Sequence, residues 1–183
     1  MNIGFKEWAI ICDALGSGRQ SIIIRKGGIA EGRDGFSFKE KEFALFPTWF
    51  HAQIQKTILP PATSLPPQEE GYCDIRYVAA LEWSRVVTDH KRLHALRDFH
   101  VWDDSVLEER FAYAEAPGVH VALVRIYRLE PACRLQLERR HGGCRSWVQI
   151  PEISGNAMVS VLSDEEHLRR KKLLETLIPE QSF

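Results

Sequence analysis

Cations beside glycines are the first residues here whose types and spacing could do chemistry. Arg25-Lys26-Gly27-Gly28 follows the β-branched run Ser21-Ile22-Ile23-Ile24. A strand end delivers two cations at that point, and glycines leave backbone amides open to approach. That combination can hold a phosphate or carboxylate. It also suits a strand leaving the core through a turn with two solvated cations. The string is not a P-loop, because no G-x-x-x-x-G-K-[ST] pattern occurs. A second string, Phe46-Pro47-Thr48-Trp49-Phe50-His51, sets aromatics at another strand end. Aromatic faces stack on bases and also fill cores. His51 has the residue type for acid/base work, with no assignable partner.

Three other constellations carry weaker chemistry. His90 and His94 stand four apart on a predicted short helix, hence on one face. That spacing can hold a metal. The intervening Lys91, Arg92 and Leu93 lack the metalloprotease glutamate, and two cations oppose a bound ion. No metal or cofactor is expected. His141-Gly142-Gly143-Cys144-Arg145 could activate Cys144 as a nucleophile, but a glycine-built turn explains the same letters. The carboxylates Glu7, Asp34, Glu40 and Glu42 raise the question of a metal-dependent nuclease, without the Asp/Glu-x-Lys spacing on an apolar strand that such a site needs.

The elements that position these residues come from a chain of 183 residues, enough for one domain with a real core. Hydrophobic residues make up 44% and charged residues 27%, which excludes disorder and fibrous repeats. With 24 basic and 25 acidic residues the net charge is -1, so bulk charge does not announce a nucleic-acid binder. Apolar runs fall far short of the ~18 residues of a membrane span. The start has no secretory pattern, and none of the four cysteines forms a C-x-x-C pair. Reduced thiols and a cytoplasmic location are the expectation.

Helical spacing of Phe5, Trp8, Ala9, Cys12 and Leu15 predicts a first helix ending at Gly16. Strands are predicted at Ser21–Arg25, at Phe36–Phe38 after a hairpin loop at 31–35, and at Phe43–Phe46 up to Pro47. Residues 57–71 are a Pro-rich loop. Tyr72 to Val87 reads as extended, and a short helix follows around 89–96. Ser105-x-x-Glu108 predicts a capping box opening a helix near 106–114. Val119–Leu129 alternates as a strand that Pro131 ends, and Arg125 on its apolar face calls for a partner. Two short strands are predicted around Leu135–Leu137 and Trp147–Ile150. Ser163-x-x-Glu166 opens a C-terminal helix over 163–178 with basic residues late, as the helix dipole favours.

Several of these strings together resemble a known family. They are Lys6-Glu7-Trp8-Ala9, Ile24-Arg25-Lys26-Gly27-Gly28-Ile29, Leu45-Phe46-Pro47-Thr48 with His51, and His100-x-Trp102. Ala14-Leu15-x-x-Gly18-x-Gln20, Glu42-Phe43, Arg110-Phe111, Val124-Arg125-Ile126-Tyr127-Arg128-Leu129 and Gly142-Gly143-Cys144-x-Ser146-Trp147-Val148 complete the set. The chain is similar over residues 6–150 to the uncharacterised bacterial family catalogued as domain of unknown function 1802. The C-terminal helix lies outside the resemblance. It implies a bacterial protein with a single domain and no established activity. Ala14-Leu15-x-Ser17-Gly18-x-Gln20-x-Ile22-x-Ile24-Arg25 also resembles the opening of ASCH and related PUA-like domains, with Arg19 where a lysine is usual. That likeness implies a small β-barrel, a strand-end arginine facing the pocket, and relatives that bind RNA or modified bases.

The expected architecture is α+β: a mostly antiparallel sheet or partly closed, PUA-like β-barrel with three or four peripheral helices, one domain over 1–183. The expected function is a nucleic-acid-associated or nucleotide-ligand binding module with no membrane partner. The alternatives are a hydrolase or nuclease on nucleic acid and a protein-interaction domain using the basic C-terminal helix. The candidate ligand-binding residues are Arg25, Lys26, Gly27, Gly28, Glu42, Thr48, His51, Arg110 and Arg125, with phosphate as the favoured ligand group. Glu42 is also the candidate partner that would hold Arg25 in place. Oligomeric state is not legible.

Overall fold

The computed structural model describes residues 1–26, 36–113 and 117–180. The fold is α+β; among the described residues four α-helices surround a seven-stranded sheet of order β2-β5-β4-β3-β1-β6, β7 pairing with β5. The strands are β1 (Ile3–Trp8), β2 (Ile22–Arg25), β3 (Glu42–Thr48), β4 (Tyr72–Val87), β5 (Val119–Gln136), β6 (Trp147–Gln149) and β7 (Ala157–Ser160). The helices are α1 (Ala9–Gly16), α2 (His90–His94), α3 (Asp104–Ala112) and α4 (Asp164–Leu177). All strand pairs are antiparallel except β1 with β3. Among the described residues no helix is long and apolar enough to cross a membrane.

The sheet does not close among the described residues; β2 and β6 are its two ends. One side chain spans that seam. Arg25, the last residue of β2, donates through Nε and Nη2 to Ser146 Oγ at 3.3 and 3.1 Å, directly before β6. Phe36 and Phe38 pack there too, with Phe5, Phe43 and Trp147, at ring separations of 4.9–6.5 Å. The returning strand expected at Phe36–Phe38 is not formed. These two rings instead fill the gap between the sheet ends. The hairpin loop expected at 31–35 lies outside the described residues.

Several predicted boundaries are corrected. Phe5 to Trp8 is strand, not helix, because β1 is drawn between β3 and β6, where Phe5 is wholly buried. The helix starts at Ala9. Side chains meet the amides at its start: Gln53 Oε1, from a distant turn, accepts from Ile10 N at 3.1 Å, and Glu7 Oε1 accepts from Trp8 N at 2.8 Å. β3 runs through Pro47 to Thr48, since β4 pairs with it only as far as Ala44 and leaves that flank free of a ladder donor. β5 runs past Pro131 to Gln136, the proline falling at a register shift between Ile75 and Tyr77 of β4. Leu135 therefore belongs to β5. The exposed β7 has no counterpart among the predicted strands. α3 is capped by Asp103, whose carboxylate accepts from Ser105 N at 2.9 Å, so Ser105 is not the cap. Tyr72–Val87 is a single strand, as expected.

The larger core joins the sheet to residues of all four helices, and a second cluster around Phe46, Ile75, Leu129 and Val148 is built mostly from strand residues. Ile22, Ile23 and Ile24 are fully buried in β2, each stabilising by about 1.5–3 kcal/mol relative to exposure. α4 is capped by Ser163, whose hydroxyl accepts from Glu166 N at 3.2 Å. It buries Leu174, with Ile178 just beyond it. Arg170 donates to Gly18 O and Ser21 Oγ at 2.7 and 2.8 Å, and Lys171 to Glu82 at 2.5 Å. Two of the basic residues of α4 thus dock it to its own chain.

Candidate ligand-binding site

A cavity of about 280 Å³ opens where the end of β1 meets α3, lined by Trp8, Lys26, Lys56, Val106, Glu109, Arg110 and Tyr113. The sheet and α3 build it together. β1 ends at Trp8, whose ring meets Phe50 edge-on at 4.4 Å and Trp102 at 4.6 Å. Helix α3 buries Val106, Leu107 and Phe111. That packing turns Arg110 across the two indoles. Its guanidinium lies 3.8 Å from the Trp102 centroid and 5.5 Å from that of Trp8.

Arg110 is held by a neutral acceptor: it donates to Ile24 O at 2.8 Å and forms no ion pair among the described residues. Burial lowers its pKa to about 10; Glu7 opposes that shift and Arg25 adds to it. The group is therefore cationic at neutral pH. Glu7 is itself buried, and its Oε2 has no hydrogen-bond partner among the described residues. Lys26 leaves β2 and donates to Gly118 O at 2.8 Å and Phe111 O at 3.4 Å. Burial lowers its pKa as well. Lys56 faces Glu109 at 3.8 Å, an exposed pair of small energetic weight. Among the described residues, three cations, two aromatic side chains and one carboxylate, Glu109, thus line the cavity.

Of the residues singled out in the sequence, the structure brings Lys26 and Arg110 into this cavity, with Arg25 within electrostatic reach of Arg110. Arg25 is engaged with Ser146 and lies over the Phe5 ring at 5.5 Å. It makes no ion pair with Glu42, which is exposed at the far end of β3. Thr48 pairs with Trp8 across the parallel ladder and donates to Glu7 O at 3.1 Å. His51 is exposed in the following turn and does not line the cavity. Gly27 and Gly28 lie outside the described residues. Arg125 stands elsewhere. It sits five positions along β5 from His120, the partner of Arg25, roughly 17 Å at strand rise. There it is bound to Asp164 and to Ser160 Oγ, the partner its apolar surroundings called for.

Sequence reasoning missed Trp8, Lys56 and Tyr113. Trp8 stands in one of the family strings but reads as a core position of a helix. Lys56 and Tyr113 carry no pattern, because three distant segments bring them together. In the turn before Cys144, Lys6 Nζ donates to Gly142 O and Gly143 O at 2.7 and 3.1 Å. His141 is buried against Phe46, its Nδ1 accepting from Glu138 N at 2.9 Å, and it makes no hydrogen bond to Cys144.

Comparison with known proteins fixes the fold and the family. No curated protein matches the sequence. A serine-to-alanine mutant of the ASCH protein from Zymomonas mobilis aligns with a TM-score of 0.50 at 11% identity, over 93% of this chain and 94% of that one. A second crystal structure of ASCH from the same organism aligns with a TM-score of 0.49 at 12% identity, over the same shares. The first alignment shows an ASCH-like fold, the PUA-like architecture expected, with a sheet that does not close among the described residues. The family model described as Domain of unknown function (DUF1802) matches residues 4–172, reaching into α4 beyond the resemblance read from the sequence, and the chain belongs to that family.

Proposed function

We propose that this domain binds a nucleic acid or another phosphate-bearing nucleotide ligand in the cavity between β1 and α3. One observation carries the reading: Arg110 is a cation beside two indoles, bonded to a carbonyl and, among the described residues, to no carboxylate, with Lys26 and Lys56 beside it. A guanidinium held by a neutral carbonyl suits a planar or phosphorylated anion, since both charge and stacking are on offer. Trp8 and Tyr113 supply faces for a base. The cavity's size fits a nucleotide-sized group better than a duplex groove.

The test measures binding of short single- and double-stranded DNA and RNA, and of a nucleoside monophosphate, across salt concentrations. The wild type should bind at least one probe. A Lys26→Ala, Lys56→Ala double variant should stay folded and bind more weakly. Its salt slope should be shallower by up to about one unit for each phosphate that the two lysines neutralise. Absence of binding to every probe at low salt defeats the reading. A hydrolase reading draws on Glu7, whose buried Oε2 is unpartnered among the described residues, beside Trp8. Cleavage of any probe strand that disappears in Glu7→Gln would favour it.

A further inference from the structure

We propose that His90, His94 and Glu108 form a binding site for a divalent transition cation, separate from the cavity at Arg110. The sequence offers only the first two ligands. The fold supplies the third, because α3 packs beside α2 and turns Glu108 towards both imidazoles. Glu108 Oε1 lies 3.3 Å from His90 Nδ1 and 3.0 Å from His94 Nε2. The three ligand atoms all fall within 4.8 Å of one another. A tetrahedral zinc with bonds of about 2.0–2.1 Å separates its ligands by about 3.3 Å. Two of the three edges therefore have close to the required length, and a small side-chain rotation supplies the third.

The donor set and its surroundings agree with this assignment. Two imidazoles and one carboxylate suit zinc and its neighbours in the first row, not magnesium or calcium. His90 is seated edge-on against Phe111 at 4.1 Å, which orients its ring. Of the two cations that count against a metal in the sequence, Arg92 is drawn to Asp89, 4.0 Å away. The three ligands are partly exposed, so water can fill the remaining position.

Calorimetric titration of the untagged chain with Zn²⁺ at neutral pH, paired with Co²⁺ absorption, tests the site. One ion should bind per chain with a dissociation constant in the micromolar range or tighter. Magnesium should not compete. His94→Ala and Glu108→Gln should each weaken zinc binding tenfold or more, with circular dichroism unchanged, since both side chains are about half exposed. Cys144→Ser should leave binding intact and the cobalt spectrum without a thiolate band. Absence of zinc binding by the wild type overturns the proposal. So does binding that survives both ligand variants, or that disappears in Cys144→Ser.

Discussion

The guanidinium of Arg110 lies 3.8 Å from the ring centroid of Trp102, a side chain with no exposed surface. That stacking joins the two parts of the candidate site. Trp102 is fixed by the segment between α2 and α3, where it bridges to Thr57, and Arg110 is carried by α3 itself. The plane of the guanidinium is thereby set by the core and not by solvent. A cation so placed is oriented before any ligand arrives, which lowers the ordering cost of binding.

Arg110→Lys separates charge from plane. Lysine keeps the charge but loses the flat stacked group and its fork of donors. The variant should lose about 1–2 kcal/mol of stability and bind the wild type's nucleic-acid probe about tenfold more weakly. Urea unfolding and probe titration measure the two effects. A lysine variant equal to wild type in both would show that charge alone matters at this position.

Gly16 tests packing against propensity. It ends α1, where alanine would ordinarily favour the helix by about 0.5–1 kcal/mol. A Cβ there would stand 2.1 Å from the Tyr77 ring, which no side chain tolerates. Gly16→Ala should therefore destabilise by about 1–3 kcal/mol. Tyr77→Leu in the same chain should recover part of that loss, as touching pairs do in a double-mutant cycle. A stabilised Gly16→Ala would show that Tyr77 moves aside freely.

What the sequence makes legible follows from the range of each interaction. Ile22–Arg25 and Tyr72–Val87 read correctly because β-branched runs and turn residues act locally. The first helix starts later than its period suggests, since Phe5 and Trp8 fit a helical spacing but are claimed by strand partners forty positions away in Leu45 and Thr48. Lys26 and Arg110 are legible as cations near strand and helix ends. Their neighbours Trp8, Lys56 and Tyr113 are not, because only tertiary packing brings them to one cavity. Glu108 shows the same limit. In sequence it completes a capping box with Ser105, yet in the fold Asp103 takes the cap and Glu108 faces two histidines.

The chain's two halves should stay together when the segment 57–71 is cut, which bears on the proposal of one domain. Residues 67–71 are exposed, including Glu69 and Glu70, and the segment holds no lysine or arginine for trypsin. A glutamate-specific protease should therefore nick there early among the described residues. The sheet order interleaves the halves: β2 pairs with β5, β3 with β4, and β1 with β6. Native size-exclusion chromatography of the nicked protein should give one peak holding both fragments. Two separate folded fragments would show two domains.

His100 makes stability depend on pH. It is 2% exposed, its Nδ1 accepts from Trp102 N at 3.2 Å, and its Nε2 has no partner among the described residues. Burial lowers its pKa to about 4; Arg97 and Arg110 add to the shift and Asp104 opposes it. The folded state therefore binds this proton more weakly than the unfolded chain, whose histidines titrate near 6.5. By linkage, stability rises with pH wherever the unfolded state holds more protons. The contribution is complete above about pH 6.5 and is lost as pH falls towards 4. Its full size is on the order of 3 kcal/mol. His120, also lowered by burial, acts in the same direction. Urea unfolding of wild type near pH 7 and about pH 4.5 should show this loss. In His100→Asn, the amide oxygen can accept from Trp102 N in place of Nδ1 but does not titrate, so the loss should shrink by most of that amount. An equal loss in both chains would mean that His100 is protonated without cost in the fold, and that carboxylates and His120 account for the acid sensitivity.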